Sequence, residues 1–255
     1  MTHKIATNKP QVTLNVEGKS EHIRDNINID VIGVIKSPFK QKFAVPRQAG
    51  LSPSSKSTIE FYPPFSDPNA FIGLDGFSHI HILFLFDLAP YNEFKPTVRP
   101  PRLGGNKHVG VFATRSPFRP SRIGLSVVRL DAIEIKKGRA ILHVSGADIV
   151  DGTPIIDIKP YIPFVDIKNE AKGGYANEKP PLKDVIIAKD VDTSFLYDFE
   201  IDTIKEVLGQ DPRPAYKGSD DKKEYQALVC DCDIRFFVYE TLVSVHKITR
   251  IKDGK

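Results

Sequence analysis

Apolar and polar residues alternate along several short stretches of this chain, which is the pattern of half-buried β-strands. Residues 79–86 give the clearest case, with one face of the predicted strand carrying Ile80, Ile82, Phe84 and Phe86. Other runs rich in β-forming residues, each bounded by turn residues, cover residues 29–36, 125–135 and 140–145. Short strands joined by Gly- and Pro-rich loops, such as residues 95–110, predict a mainly β barrel or sandwich with function carried on its loops.

A second, smaller unit is predicted beyond Pro163. Residues 166–183 contain paired glycines, paired prolines and several charges, and they read as a linker. Further on, helical spacing and a following Gly209 predict one helix through Ile201, Ile204, Val207 and Leu208. A single strand is predicted next, with an apolar face made by Leu228, Cys230, Cys232, Ile234, Phe236 and Val238.

The predicted organisation therefore has four parts. Residues 1–28 form a loose N-terminal extension, and residues 29–165 form the barrel domain. The linker covers residues 166–183, and a small α+β domain covers residues 184–255.

Size and composition favour an ordinary globular protein of a reducing compartment. The 255 residues are 40% hydrophobic, which is enough to bury a sizeable core. We find no apolar run long enough to span a bilayer and no apolar segment near the N-terminus that would mark a secretory signal. Cys230 and Cys232 lie two residues apart in the predicted strand, where a disulfide would be strained. We therefore expect a cytoplasmic protein.

The net charge of +4 hides a strong polarity along the chain. Residues 31–59 and 94–130 together hold 13 of the 36 basic residues and none of the 32 acidic ones. The rest of the chain has 23 basic and 32 acidic residues, a net charge of −9. Arginines dominate the second stretch, and arginine makes planar, bidentate contacts with phosphate. An RNA backbone or another polyanion is the expected partner, and a solvated basic face without a partner is the alternative.

Familiar cofactor and metal motifs are missing from the sequence. It contains no G-x-G-x-x-G, and residues 105–110 lack the following Lys-Ser/Thr of a phosphate-binding loop. His79 and His81 would share a strand face, but no third ligand is near them in sequence, so hydrogen-bonded histidines are favoured over a metal site. No metal is predicted.

Two loops carry candidate chemistry. Arg115, Arg119 and Arg122 are separated by Pro117 and Pro120, which would present the guanidinium groups on a stiff backbone. The alternative is a structural loop whose arginines pair with surface acids.

The second loop, residues 148–161, contains Asp148 and Asp151-Gly152. Its carboxylates could accept hydrogen bonds from ribose hydroxyls or an ammonium group, or they could cap turns. Residues 46–50 offer backbone donors near Gly50, a weak signal by itself.

Taken together, the ordered motifs resemble those of the TrmO (YaeB-like) family of tRNA methyltransferases. The matching residues are Ile32-Gly-Val-Ile-Lys-Ser-Pro-Phe39, Pro46-Arg-Gln48, Gly76-Phe-Ser-His79, Arg99-Pro-Pro-Arg-Leu-Gly-Gly105, Gly110 to Pro120, Asp151-Gly-Thr-Pro154, Asp157-Ile-Lys-Pro-Tyr161 and Asp211-Pro-Arg-Pro-Ala-Tyr216. The resemblance runs from about residue 29 to the C-terminus.

The resemblance implies a small, non-Rossmann β-barrel methyltransferase that works as a homodimer. It implies transfer of a methyl group from S-adenosylmethionine to N6 of threonylcarbamoyladenosine at position 37, in the anticodon loop of tRNA. The residues that it places around S-adenosylmethionine are Gln48, Ala49, Gly50, Asp87, Leu88, Arg115, Leu125, Asp148, Ile149, Val150 and Asp151. The residues expected to bind the tRNA substrate are Arg119, Arg122, Lys159, Tyr161 and Arg213.

The chemistry suggests roles for the Asp-Pro-Arg-Pro-Ala-Tyr segment. The carbamoyl group makes the N6–H more acidic, so a general base within hydrogen-bond reach would activate the nitrogen. Asp211 and Tyr216 are the candidates, and Arg213 could hold the threonyl carboxylate of the substrate. Two other readings stay open, namely a non-catalytic barrel that binds S-adenosylmethionine and RNA, and a methyltransferase for a different acceptor.

Overall fold

The computed structural model describes residues 11–15, 26–89, 94–214, 217 and 221–251. Its strands are β1 (Gln11–Asn15), β2 (Asn26–Asp30), β3 (Gly33–Lys36), β4 (Lys56–Phe61), β5 (His79–Leu85), β6 (Thr97–Val98), β7 (Val109–Gly110), β8 (Ile123–Lys136), β9 (Arg139–Ser145), β10 (Pro154–Pro160), β11 (Asp184–Ile187), β12 (Tyr225–Val229), β13 (Cys232–Val238) and β14 (Leu242–Arg250). The α-helices are α1 (Pro163–Asp166) and α2 (Asp198–Gly209).

Six strands close into an antiparallel barrel in the order β10-β3-β4-β9-β8-β5. In β5 the alternating sequence pattern corresponds to alternating burial. Ile80, Ile82 and Phe84 point into the barrel core, as predicted. β8 is 14 residues long and pairs with β5 along its first half and with β9 along its second, with a register shift between Leu130 and Ala132. The predicted mainly β fold with a small barrel is confirmed.

The predicted β-rich run over residues 29–36 is divided between two sheets. β2 pairs with β1 in a two-stranded sheet, with Asp30 opposite Gln11, whereas β3 is a barrel strand. Residues 31 and 32 connect them, and the amide of Ile32 donates to the carbonyl of Ile155 at 2.8 Å. The expected loose extension therefore contains a hairpin, whose second strand crosses the expected boundary at residue 28.

The C-terminal unit is a four-stranded sheet, β11-β14-β13-β12, with α2 packed on it. β11 runs parallel to β14, and the other two pairings are antiparallel. Ile204, Val207 and Leu208 are the buried face of α2, and the helix ends at Gly209 as predicted. The helix and the sheet share one core.

One strand prediction is wrong in this unit. The run expected as a single strand is a hairpin of β12 and β13, because Cys230 and Asp231 both have φ of 53° and form its tight turn. The turn changes the phase of the alternation, so Ala227 and Val229 are buried in β12 and Leu228 is not. Both cysteines are buried free thiols, and burial raises the pKa of Cys230 to about 12, which makes that thiol unreactive.

The barrel domain and the C-terminal unit are joined through the segment that follows β3. Phe39 and Ala44 belong to the C-terminal core, and Phe39 forms a β-bridge with Val229. The amide of Cys230 donates to the carbonyl of Pro38 at 2.9 Å. Residues of the N-terminal half thus complete the second core. Across the part of the chain that the structure describes, no helix is both long and apolar enough to cross a membrane.

Candidate functional site

A cleft with a volume of about 860 Å³ opens at the end of the barrel where β5 ends and β8 begins. Residues of four segments, 42–48, 84–89, 114–126 and 148–153, line it together with Pro101. Two of these segments, residues 42–48 and 114–126, are rich in Pro and basic residues, and residues 148–153 contain the Asp151-Gly152 turn signal. Closure of the barrel brings them to one end although they are far apart along the chain.

One wall of the cleft is apolar. The rings of Phe84 and Phe86 meet edge to face with centroids 5.0 Å apart. Leu88 and Leu125 also line the cleft and remain 51% and 56% exposed, although both are large aliphatic side chains. Exposed apolar surface in a concave site favours a ligand with a flat or aliphatic part.

Asp148 is the partly buried acid of the cleft, whose lining also contains the exposed Asp87. The hydroxyl of Ser126 donates a 2.5 Å hydrogen bond to its Oδ1. Burial raises the pKa of Asp148 above its ordinary value, while the bond from Ser126, the charge of Arg115 and the amide of Ala49 act in the opposite direction. A carboxylate that burial penalises gains from a cationic or hydrogen-bond-donating ligand.

Arg115 and Gln48 form a polar bridge at the cleft. The guanidinium of Arg115 donates a 2.6 Å hydrogen bond to Oε1 of Gln48. Lys42, Arg47 and Arg119 are the other basic residues of the lining. The cleft therefore combines an apolar wall, one partly buried acid and several cations.

The segment after α2 forms a separate charged cluster. Nε and Nη2 of Arg213 each donate to a different carboxylate oxygen of Asp211 at 2.8 Å, and the side chain of Arg213 is only 3% exposed. Nη1 of Arg213 lies 3.6 Å from Asp221, and Lys183 lies 3.7 Å from Asp211. Burial opposes ionisation of Asp211, but its bonds with Arg213 outweigh this and lower its pKa.

Two family models together match most of the chain. The tRNA-methyltransferase O N-terminal domain matches residues 34–167, and the TrmO C-terminal domain matches residues 193–251. The chain belongs to the TrmO family. The resemblance drawn from the ordered motifs is therefore confirmed.

Similar proteins cover nearly the whole chain. A relative from Escherichia coli (strain K12), a tRNA (adenine(37)-N6)-methyltransferase, is 43% identical over 84% of this chain and 94% of its own length. A Pseudomonas aeruginosa relative, a putative S-adenosylmethionine-dependent methyltransferase, is 41% identical over 82% of this chain and 91% of its own. The crystal structure of TrmO from Pseudomonas aeruginosa superimposes with a TM-score of 0.72 at 33% identity, over 87% of this chain and 97% of that one.

The structure gathers most of the predicted donor-binding residues of this TrmO chain around the cleft. Those that line it are Gln48, Asp87, Leu88, Arg115, Leu125, Asp148, Ile149 and Val150. Their contact with S-adenosylmethionine stays a prediction. What the structure adds is that one cavity holds residues from four separate loops.

Three predicted donor-binding residues lie behind the lining. The amide of Ala49 faces Asp148, and the amide of Gly50 donates to the carbonyl of Gly146 at 2.8 Å. Asp151 accepts from the amide of Ser37 at 2.9 Å and pairs with Lys40 at 3.1 Å. In this structure the three residues shape the loops of the cleft.

The predicted substrate residues are divided between two regions. Arg119 lines the cleft, and Arg122 is close to it, with its guanidinium directed to the carbonyl of Ala89 at 3.4 Å. Lys159 and Tyr161 lie at the other end of β5, where Lys159 is opposite His81 in the sheet. A single chain therefore does not bring Lys159 and Tyr161 to the cleft.

The histidine pair of β5 is held by hydrogen bonds rather than by a cluster of ligands. Nε2 of His81 lies 3.2 Å from Oδ2 of Asp166, and the His81 ring packs beside Tyr161. Among the residues with described positions, no three His, Cys, Asp or Glu side chains come together as a metal site.

The Asp-Pro-Arg segment does not present the side chains as expected. Arg213 is buried and occupied by Asp211, so this geometry does not support its predicted role as the receptor of the threonyl carboxylate. The lowered pKa of Asp211 makes this carboxylate a weaker base than an ordinary aspartate. Tyr216, the other predicted base, lies outside the described residues.

Sequence reasoning missed Ser126 and Gly124, which the structure places in the lining. Ser126 is a buried hydroxyl in the apolar first part of β8, and Gly124 is a glycine in the same strand. Both are exceptions to the strand pattern, and such exceptions are a usable signal.

Proposed function

We propose that the chain methylates N6 of threonylcarbamoyladenosine at position 37 of tRNA and that the cleft is where S-adenosylmethionine binds. The chain is a tRNA methyltransferase of the TrmO family and uses S-adenosylmethionine. Adenine-37 N6 methylation is the activity of relatives with about 40% identity. The threonylcarbamoyl group, the homodimer, the cytoplasmic location and the residue roles are the finer parts of the proposal.

The residues of the cleft fit the methyl donor. S-adenosylmethionine has a flat adenine, ribose hydroxyls, a sulfonium, an ammonium and a carboxylate. The apolar wall of Phe86, Leu88 and Leu125 suits the adenine, and Asp148 suits a hydroxyl or the ammonium. Arg115 suits the carboxylate. The juxtaposition of Asp148 and Arg115 on an apolar cleft is the observation that carries the proposal.

The protein's main contribution to the reaction is alignment. When bound, the donor supplies a methyl group on a positively charged sulfur, which is already electrophilic. Holding the acceptor nitrogen in line with that carbon contributes the orientation part of catalysis. Gln48 and Arg115 are joined at 2.6 Å, so they would act as one unit in fixing the donor.

Proton removal from the acceptor nitrogen falls to a group near the Asp-Pro-Arg-Pro-Ala-Tyr segment in this proposal. Tyr216 is the candidate that keeps its predicted role. Asp211 is assigned a different one, the counter-ion that holds Arg213 and the backbone after α2. Asp148 is assigned to binding of the methyl donor and not to proton removal from the acceptor.

The face around the cleft fits an unpaired stretch of RNA. Phe112 and Phe118 are 72% and 52% exposed, and the ring of Phe94 stacks on Phe112 with centroids 6.3 Å apart. They are interspersed with the basic residues of the acid-free stretch from residue 94 to residue 130. Exposed aromatic rings among arginines bind splayed bases and their phosphates, as an anticodon loop offers.

Mass spectrometry of tRNA nucleosides tests the acceptor. A strain without the gene should lose the methylated form of threonylcarbamoyladenosine, and the gene with Arg115→Ala should fail to restore it. Arg139→Ala, which removes an exposed arginine at the start of β9, is the matched control and should restore it. An unchanged nucleoside profile in the deletion strain would remove this acceptor. Binding of donor and tRNA without turnover would favour the non-catalytic reading.

A further inference from the structure

The last turn of α2 contacts the loop that carries Gln48. Nε2 of Gln210, the residue after the helix, donates to the carbonyl of Leu51 at 3.1 Å and to the carbonyl of Glu206 at 2.9 Å. Its Oε1 accepts from the amide of Arg47 at 3.4 Å. Gln210 is buried. One side-chain amide therefore spans both ends of the five-residue turn from residue 47 to residue 51, which we call the donor turn.

A second side chain of the same helix holds the residues after the donor turn. Glu206 accepts from the hydroxyl of Ser52 at 2.9 Å, from the hydroxyl of Ser54 at 2.8 Å and from the amide of Ser54 at 3.1 Å. Glu206 and Gln210 are four residues apart, so they lie on one face. The end of α2 thus fixes residues 47–54 by side-chain hydrogen bonds.

The backbone after α2 adds a third connection. Nη2 of Arg47 donates to the carbonyl of Asp211 at 3.0 Å and lies 3.4 Å from the carbonyl of Arg213. The ion pair between Asp211 and Arg213 holds these carbonyls in place. The charged part of the C-terminal signature is therefore connected to the cleft through its backbone, by way of Arg47.

We propose that Gln210 is a positioning residue for the methyl donor and that the C-terminal unit sets donor affinity through it. The donor turn contains Gln48, whose Oε1 accepts from Arg115 in the cleft. Loss of Gln210 removes one hydrogen bond at each end of the turn, and the loosened turn lets Gln48 move away from Arg115. The inference rests on the proposed location of S-adenosylmethionine in the cleft.

A purely structural role for Gln210 leads to a different expectation. If it only joined the two units, its loss would lower thermal stability and weaken donor and tRNA binding together. A positioning role weakens donor binding alone. The two effects are separable because the side-chain hydrogen bonds of Gln210 go to the donor turn and to the last turn of its own helix.

Calorimetric titration of the full-length protein with S-adenosylmethionine, without tRNA, measures the effect directly. Gln210→Ala should weaken donor binding about tenfold, as expected for the loss of two ordinary hydrogen bonds. Hydrogen exchange of the ligand-free protein should become faster across residues 46–52. Gln226→Ala removes an exposed glutamine of β12 in the same unit and should change neither measurement.

A double-mutant cycle tests whether Gln210 affects donor binding through Gln48. If Gln210 acts through Gln48, Gln48→Ala with Gln210→Ala should bind the donor no more weakly than Gln48→Ala alone. Ile234→Val creates a small cavity in the C-terminal core and so controls for lost stability. It should leave donor binding unchanged.

Unchanged donor binding in Gln210→Ala, or a tRNA affinity that falls equally, overturns the inference. Arg115→Ala separates this failure from that of the proposed function. If Arg115→Ala also binds the donor normally, the cleft is not the donor site. If it binds weakly while Gln210→Ala binds normally, only the inference about Gln210 fails.

Discussion

Gly124 pairs with Phe84 across β8 and β5, and the Phe84 ring occupies the space that a side chain at residue 124 would need. A Cβ at residue 124 would lie 2.3 Å from Cζ of Phe84. The ring cannot move freely, since it is buried and packs edge to face against Phe86. A glycine at this position therefore keeps the apolar wall of the cleft in its observed shape.

We expect Gly124→Ala to disturb the donor site more than its size suggests. The added methyl forces the Phe84 ring from its position, and overpacking of this kind costs about 1–3 kcal/mol. The displaced ring should narrow the cleft and weaken binding of S-adenosylmethionine by about tenfold or more, as measured by calorimetry.

Two further variants make the Gly124 prediction specific. Gly76→Ala adds the same methyl where nothing lies within 4 Å, so it should leave donor binding unchanged. Phe84→Leu in the Gly124→Ala background removes the conflicting ring atoms and should recover part of the lost affinity. Normal donor binding by Gly124→Ala alone would show that Phe84 does not shape the site.

Asp211→Asn is expected to act mainly on stability. Arg213 is almost fully buried and would lose its bidentate carboxylate partner, while Asp221 stays 3.6 Å away. Leaving a buried charge with a poorer partner should lower the free energy of unfolding by about 2 kcal/mol at neutral pH. Urea denaturation measures this, and Asp202→Asn, an exposed acid of α2, is the control.

The pH dependence of the Asp211 effect follows from its lowered pKa. A carboxylate whose pKa is lowered by folding stabilises the protein above its ordinary pKa, and this contribution disappears as the pH falls through the lowered value. The difference between wild type and Asp211→Asn should therefore shrink in acid. A variant with unchanged stability but greatly reduced turnover would instead restore Asp211 as the candidate base.

Much of the barrel could be predicted from the sequence because its strands are half-buried. The alternation in β5 and the helical spacing that ends at Gly209 both reflect burial on one side of an element. The hairpin turn at Cys230 and Asp231 could not, since only Asp231 is a typical turn residue and the apolar alternation runs across both positions. There the continuous apolar pattern outweighed the local turn signal.

The candidate site could be predicted only in part, because sequence gives residue types but not partners. The longest loop at the cleft, residues 114–126, is visible as a Pro- and Arg-rich stretch, whereas residues 84–89 carry no such signal. The ion pair between Arg213 and Asp211 depends on burial of the segment after α2, and no local sequence pattern indicates that burial. The contact of Gln210 with Arg47 joins residues 163 positions apart and is likewise invisible in sequence.

Phe112→Ala tests the proposed RNA face. Phe112 is largely exposed, so its loss should change the free energy of unfolding by less than about 0.5 kcal/mol. Stacking of a base on an aromatic ring contributes about 1–3 kcal/mol, so tRNA binding should weaken roughly tenfold while donor binding stays the same.

The control for Phe112→Ala is Ile72→Ala, another highly exposed apolar residue of the barrel domain, which should have no effect on tRNA binding. Both variants are measured by filter binding and by size-exclusion chromatography. Unchanged tRNA affinity with a shift from dimer to monomer would mean that Phe112 contacts a second subunit and not RNA.

Asp148→Asn should make the ligand-free protein more stable at neutral pH and a weaker binder of the donor. Burial raises the pKa of Asp148 above 3.8, so between that value and the raised one the folded chain holds a proton that the unfolded chain has released. The contribution of Asp148 to folding stability therefore falls as the pH rises through that window.

An asparagine does not titrate, so the thermal stability of Asp148→Asn relative to wild type should increase from pH 4 to pH 7. Saturating S-adenosylmethionine should reverse the order at pH 7, because a carboxylate pairs with a cationic group of the ligand more strongly than a neutral amide does. If the difference between the two proteins did not change with pH, Asp148 would not be the strained acid of the cleft.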